Sequence, residues 1–407
     1  MEKKQESSIF SVVVIVAALG YFVDIYDLLL FSIIRVPSLQ SLGLSKEQIT
    51  IEGESIISWQ MAGLLIGGII WGVLGDKRGR LSVLFGSIIL YSLANIANGL
   101  VETVDQYRYI RFIAGLGLAG ELGAGITLVS ELTPKNKRGI ATSLVAGIGI
   151  TGAIVAFVIK ENFHWRTCYF IGGGLGLLLL ILRVSVFESG MYHEIKKQDV
   201  QRGNLLMLFN NTDRFKRYLC SILLGLPTWY VIGILVTFSG EFGETMGIAG
   251  KIDPGKAIMY AYAGLSIGDI ISGLVSQWFS SRKKALFLFF GITSFFIFLF
   301  FTHNGTAQQM YWICAGLGFG TGFWAIFVTI GAEQFGTNLR ATAATTIPNM
   351  VRGMLAVLIL PLFKGLRGWT DYYTGGWITA IIVMIIAVIA AFYSKETFGK
   401  DLNYVER

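Results

Sequence analysis

The sequence predicts an all-α membrane protein with twelve transmembrane helices in two pseudo-symmetric six-helix bundles. Three observations carry that expectation. The chain is 54% hydrophobic and only 14% charged, with a mean hydropathy of +0.63, whereas a soluble surface needs about a quarter or more of its residues charged. Most of its solvent must therefore be lipid. Apolar runs approaching the ~20 residues of a membrane span recur along the chain in two groups, before and after a polar stretch. Motifs in the first group then reappear in the second.

The first six spans are expected near 9–31, 55–75, 81–101, 109–132, 139–159 and 168–187. The second six fall near 217–239, 257–279, 284–302, 309–332, 341–363 and 375–393. Between them, 188–216 holds Glu188, Glu194, Lys196, Lys197, Arg202, Arg214 and Lys216, too polar to span and long enough to join two bundles. The expected organisation is thus an N-terminal bundle over 1–187, the linker 188–216, a C-terminal bundle over 217–396 and a cytoplasmic tail over 397–407. Lys3 and Lys4 precede the first run, but no small-residue cleavage site follows it, so it reads as a retained span. Cys168, Cys220 and Cys314 lie in apolar segments without metal-ligand spacing and read as small core residues.

A net charge of +7 would suggest nucleic acid for a soluble chain. Here the cations are better explained by topology. Lys77, Arg78, Arg80, Lys135, Lys137, Arg138, Arg282, Lys283, Lys284 and Arg340 fall in loops on the side of both termini. Fewer, among them Arg35, Lys46, Lys160, Lys364 and Arg367, fall in the opposite loops. The positive-inside rule puts the termini in the cytoplasm. Compact loops suit a bacterial inner membrane, and the expected partners are lipid and a small-molecule substrate, with no nucleic acid and a monomeric carrier.

Gly72-Val-Leu-Gly75-Asp76-Lys77-Arg78-Gly79-Arg80 joins the second and third runs. So short a loop makes its helices antiparallel neighbours. Gly72 admits a close backbone, and Gly79 permits a turn that a side chain would hinder. Ala114-Gly-Leu-Gly117 returns as Ala315-Gly-Leu-Gly318, and Glu131-x6-Arg138 returns as Glu333-x6-Arg340. Gly72 and Asp76 land at nearly the same offset on Gly273 and Gln277. These matches point to a duplicated six-helix unit, a common way to build a secondary transporter with its site between the repeats. The pattern Gly-x-x-x-Asp-x-x-Gly-Arg resembles the signature loop of the major facilitator superfamily. That resemblance implies a cytoplasmic charge network closing the inner side, formed by Gly72, Asp76, Gly79, Arg80, Glu131, Arg138, Glu333 and Arg340.

Ionisable groups inside spans are costly and default to function. Asp24 and Asp27 lie three residues apart on one face of the first span. Arg111 and Glu121 lie ten residues apart in the fourth, roughly 15 Å along a helix, so they cannot pair with each other. Asp24-Ile-Tyr26-Asp27 and Gly120-Glu121 resemble motifs of the metabolite/proton symporter branch, close to the sugar porters. In the related sugar/proton porters a first-helix aspartate exchanges protons while pairing with a fourth-helix arginine, and the resemblance implies those roles for Asp27 and Arg111. The expected proton-coupling set is Asp24, Asp27, Arg111 and Glu121, set against static salt bridges that only fix packing.

In the second half, Arg352 is read either as neutralising an anionic substrate or as pairing with Asp269. Gly225-Leu-Pro227-Thr-Trp229-Tyr230 interrupts the seventh span, as binding helices of transporters often are. Trp59, Gln60, Trp229, Tyr230, Asp269, Trp324, Asn349 and Arg352 are the candidate substrate-binding residues. No Gly-x-x-x-x-Gly-Lys-Ser/Thr loop, zinc set or nucleophile constellation is visible. The expected function is therefore not enzymatic and needs no metal or cofactor. It is proton-coupled uptake of a small polar metabolite, leaning toward an organic acid, by alternating access. The alternatives are proton-antiport export of a larger organic compound and, further off, a membrane sensor.

Overall fold

The computed structural model describes residues 12–78, 80–121, 138–188 and 205–399, and the regular elements among them are all helices. The first set is α1 (Val12–Ser41), α2 (Lys46–Arg78), α3 (Arg80–Asn98), α4 (Val104–Leu118), α5 (Arg138–Asn162) and α6 (Trp165–Glu188). In the second set, α7 runs through Thr212–Leu224 and Leu226–Tyr230 into a π-helical turn, Val231–Val236. A short helix, Ser239–Thr245, leads to α8 (Pro254–Trp278) and α9 (Arg282–Thr302). Helix α10 has two pieces, Ala307–Thr321 and Trp324–Glu333, and α11 joins Thr337–Met354 to Leu360–Trp369 through a second π turn, Leu355–Ile359. Helix α12 is Tyr372–Tyr393. Ten helices among the described residues are long and apolar enough to cross a membrane, and Ser82–Asn98 is apolar but shorter.

Local chemistry sets the helix starts. Helix α2 begins at Lys46, upstream of the expected 55. Gly43 turns the chain with φ of 82°, and the amide of Ser45 donates to Gln48 Oε1 at 2.9 Å while its hydroxyl accepts from the Gln48 amide. Reciprocal capping boxes also open α4, at Thr103 and Gln106, and α10, at Thr306 and Gln309. Helix α7 starts inside the expected linker because Asn211 accepts from the amides of Asp213 and Arg214. The interruption expected at Gly225-Leu-Pro227 is present. In the α8–α9 loop, Ser280, which matches Gly79 in the repeat, takes a left-handed φ of 45°.

Helix α1 packs on α5 and α6, α2 on α4, and α3 on α4 and α6; in the second set α8 packs on α10, and α9 on α10 and α12. The two sets meet chiefly through α2 against α11 and α5 against α8. Small residues let the equivalent pairs in each half approach closely. A Cβ on Gly63 or Gly67 of α2 would strike the carbonyls of Phe112 or Leu116 on α4. A Cβ on Gly264 or Gly268 of α8 would strike those of Ala315 or Phe319 on α10. The internal repeat is therefore a repeat of backbone contact, helix for helix.

Candidate functional site

A central cavity opens where the two sets meet. Its polar and aromatic wall is Tyr21 of α1, Thr228 and Trp229 of α7, Tyr262 of α8, Trp324 of α10 and Arg352 of α11. Ile25, Leu28 and Leu265 make it otherwise apolar. At about 20 Å³ it has room for a water molecule or so and none for an organic molecule. The indole rings of Trp229 and Trp324 meet edge to face with centroids 6.4 Å apart. The Arg352 guanidinium lies 6.0 Å from the Trp229 ring centroid.

Among the described residues, two buried ion pairs involve helices near this space. Arg352 is 1% exposed and its Nη2 lies 3.5 Å from Oδ2 of Asp24, across the interface between the sets. Neither Asp24 oxygen nor Arg352 Nε or Nη1 has a hydrogen bond among the described residues. The second pair joins Glu121, just past α4, to Arg183 of α6: Nη1 donates to Oε2 at 2.9 Å, and Nη2 donates to Oε1. Gly20 makes room for this pair, since a Cβ there would collide with both side chains. Arg183 was not singled out from the sequence; a lone arginine in a span, with an unpaired glutamate two spans earlier, is the signal that could have found it.

Arg111 approaches Asp27 differently from the expected charge pair. Its Nη2 donates to the main-chain oxygen of Asp27 at 3.0 Å, its Nε to Gln60 Oε1 at 3.3 Å and its Nη1 to Asn95 Oδ1 at 3.4 Å. The Asp27 carboxylate has no hydrogen bond among the described residues and lies against Gly172 of α6. A residue that reaches the backbone cannot be told from one that reaches the side chain by spacing alone.

Of the residues expected to line the cavity, the structure brings Trp229, Trp324 and Arg352 there. Gln60 instead donates to the Leu28 carbonyl while holding Arg111, and Tyr230 donates to the Gly376 carbonyl at 2.7 Å. Trp59 is half-exposed, against Tyr109 and Phe112. Asn349 ties the two sets by donating to the Ala119 carbonyl at 2.8 Å. Asp269 does not pair with Arg352; its Oδ1 accepts from the Ala325 amide at 3.0 Å, in the first turn of the second piece of α10. Of the expected inner network, Glu333 contacts Arg282 at 3.4 Å and accepts from Thr397 Oγ1 at 2.6 Å, and Gly72 faces Thr346. Gly79 and Glu131, linker residues 189–204 and tail residues 400–407 lie outside the described residues, as do the side chains of Asp76, Arg80, Arg138 and Arg340.

The face carrying the α1–α2 and α7–α8 connections is laced shut across the interface. Arg35 pairs with Glu241 and Lys46 with Glu244, each at 2.7 Å, and Lys160 with Asp253 at 2.5 Å. Buried Glu54 receives both Lys364 and Arg367. These cations, expected in loops, sit in helix ends, each opposite a carboxylate of the other set.

Comparison with known proteins agrees with this architecture. Residues 17–354 match the family model of the Major Facilitator Superfamily, and the chain belongs to that family. The chain is 24% identical to the niacin transporter NiaP of Acinetobacter baylyi, over 96% of this chain and 95% of that one. It is 27% identical to the sialic acid transporter NanX of Escherichia coli, over 89% of this chain and 88% of that one. Among solved structures it superposes on the D-xylose-proton symporter with a TM-score of 0.69 at 18% identity, covering 96% of this chain and 99% of that one. The relatives are transporters and not enzymes.

Proposed function

We propose that this member of the major facilitator superfamily takes up a small organic acid together with a proton, by alternating access. Arg352 carries the reading: a guanidinium 1% exposed, in the central cavity, with two of its nitrogens unbonded among the described residues. Its planar fork of donors suits a carboxylate, and the dry surroundings strengthen that attraction. The names of the two relatives support an acid, since niacin and sialic acid are both carboxylic acids. Proton coupling is supported by Asp24 and Asp27, carboxyl groups 0% exposed and without hydrogen bonds among the described residues. The proton is the coupling ion of this reading, and no cofactor enters it.

In this reading the ten described spans, α3 and the full fourth span make twelve, in bundles 1–187 and 217–396 joined by 188–216 and followed by the tail 397–407. A monomer lies in a bacterial inner membrane with both termini cytoplasmic. The α1–α2 face is then external, and its ion pairs hold the carrier shut to the outside. Admitting substrate requires the bundles to part, because the cavity of about 20 Å³ is far below the several hundred Å³ of a ligand pocket. The test is uptake of a labelled organic-acid panel into proteoliposomes, with and without an inward proton gradient. Gradient-driven accumulation is expected for the wild type. It should be lost in Asp24→Asn/Asp27→Asn, while counterflow exchange persists. Wild-type accumulation that ignores the gradient would overturn symport.

A further inference from the structure

A buried carboxylate in a span usually carries an ion or binds a ligand. Asp269 is 6% exposed and lies one turn along α8 from Leu265 of the cavity wall, yet its bonding points to another use. Helix α10 breaks between Thr321 and Trp324, and a break leaves carbonyls short of partners on one side and amides on the other. The Thr321 hydroxyl serves the carbonyl side, sharing its hydrogen between Leu317 and Gly318 at 3.1 and 3.0 Å. On the amide side Phe323 stands at the N-cap position, without a side chain that could cap. Asp269 supplies the missing acceptor from the neighbouring helix: its Oδ1 takes the Ala325 amide, the second of that piece, at 3.0 Å. Glycines bring it within reach. A Cβ on Gly322 would lie 2.5 Å from the Gly268 backbone and 2.7 Å from the Asp269 amide, and one on Gly268 would lie 2.4 Å from the Phe319 carbonyl oxygen. At that separation a side chain as short as aspartate spans from α8 to the broken end. The matching position of the first half is Gly68, which lies against Asn349, so this cap belongs to the second half.

We infer that Asp269 is a positioning residue: it caps the second piece of α10 from α8 and so fixes the Trp324 indole in the cavity wall. Trp324 is the first residue of that piece, directly before the amide that Asp269 holds. Its side chain is 7% exposed and meets Trp229 edge to face, with centroids 6.4 Å apart, at the cavity. An uncapped helix end frays over its first turn, and here that turn carries Trp324. The inference goes beyond the uptake reading, because it gives Asp269 neither the proton nor the substrate and holds for any cargo. Charge is not what the site uses. Nothing among the described residues donates to Oδ2, so an amide nitrogen in its place gives up no bond, and asparagine caps a helix about as well as aspartate. A carboxylate that carries a proton or neutralises a cation has the opposite requirement, since an amide can do neither. Asparagine therefore separates the two roles.

The test is fluorine NMR of the full-length, detergent-purified carrier produced with fluorotryptophan. The chain has nine tryptophans, so the Trp324 line is assigned by its loss in Trp324→Phe. Asp269→Leu, which matches the volume but accepts no bond, should move that line or split it, while the lines of tryptophans away from the cavity stay in place. Asp269→Asn should keep it within its own width of the wild-type position. Gly322→Ala, whose Cβ would push α10 off α8, should move the line as Asp269→Leu does, with Asp269 intact. Transport gives the same split between variants. Uptake of labelled nicotinate into proteoliposomes should fall about tenfold or more in kcat/KM for Asp269→Leu, and Asp269→Asn should rescue it to within about twofold of wild type. A Trp324 line displaced in Asp269→Asn, or unmoved in both Asp269→Leu and Gly322→Ala, would overturn the inference. Uptake as poor in Asp269→Asn as in Asp269→Leu would assign Asp269 a charge role and overturn it too. If Asp269→Leu does not fold, Gly322→Ala and Asp269→Asn decide. A wild type that takes up no nicotinate would count against the uptake reading for that acid, and the fluorine lines would still decide the cap.

Discussion

Glu121–Arg183 and Asp24–Arg352 are both ion pairs withdrawn from solvent, yet they are built for different ends. The first lies within one set of helices, is two-pronged, and sits in a niche that Gly20 leaves open. The second crosses between sets, touches once, and borders a cavity that can hold water. A buried pair bonded at both carboxylate oxygens resists disruption, while one with unbonded atoms on both sides has little to lose by exchanging partners. Position relative to the interface between the two sets, more than burial, separates the tightly bonded pair from the loose one.

The largest way to break this contrast is Arg183→Met, which leaves Glu121 buried and unpaired. It should cost about 3–5 kcal/mol, read as a collapsed thermal-melting transition of the detergent-purified carrier. Asp24→Asn should cost distinctly less, because the asparagine keeps a polar neighbour for Arg352 and the adjoining cavity has room for water. Equal losses would erase the distinction. A smaller effect is expected from the laced face. Glu54→Gln removes the carboxylate that Lys364 and Arg367 share and should shift the carrier toward opening there. Labelling of Leu28→Cys by a membrane-impermeant maleimide should then rise several-fold over the same variant with Glu54 intact; unchanged labelling would mean the ion pairs do not hold the face shut.

The smallest effect lies at the opposite face. Partial burial pushes the Glu396 carboxyl up, but bonds from the Ser281 hydroxyl and the Phe398, Arg282 and Lys283 amides outweigh it and hold it down at about 2, from an ordinary 4.5. A carboxyl depressed by folding stabilises above its unfolded value and loses that contribution as pH falls through the folded one. Protection of the Arg282 and Lys283 amides against hydrogen exchange should therefore weaken as pH falls from 4.5 toward about 2. The pH-dependent part should be absent in Glu396→Gln. Persistence of the same acid loss in that variant would assign it to another group.

These contrasts were only partly legible in the sequence. Spans are written in the length of apolar runs, so helix order could be read directly. Where the reading slipped, charge misled it. Glu52 and Glu54 made 46–54 look like loop, yet they are the first turns of α2, their carboxylates neutralised by Arg108 and by Lys364 and Arg367. The Ala-Gly-Leu-Gly repeat announced the duplication, but its meaning as close contact needed Gly63, Gly67, Gly264 and Gly268 in space. Arg352 was recognisable as a buried cation. That its partner is Asp24, more than three hundred residues away, depends on how α1 and α11 cross, and no local pattern encodes a crossing.

The two π turns have a mechanical meaning. Val231–Val236 follows Trp229 on α7, and Leu355–Ile359 follows Arg352 on α11. Each turn stores one residue more than an α-helix needs. Closing one would rotate the segment before it by about 100° relative to the segment after, without breaking a helix. The two helices of the second set that bring Trp229 and Arg352 to the cavity therefore carry their own slack, whereas α1, which brings Asp24, is one unbroken α-helix from Val12 to Ser41. In the uptake reading, rocking of the bundles would find its slack in these two helices of the second set and none in α1.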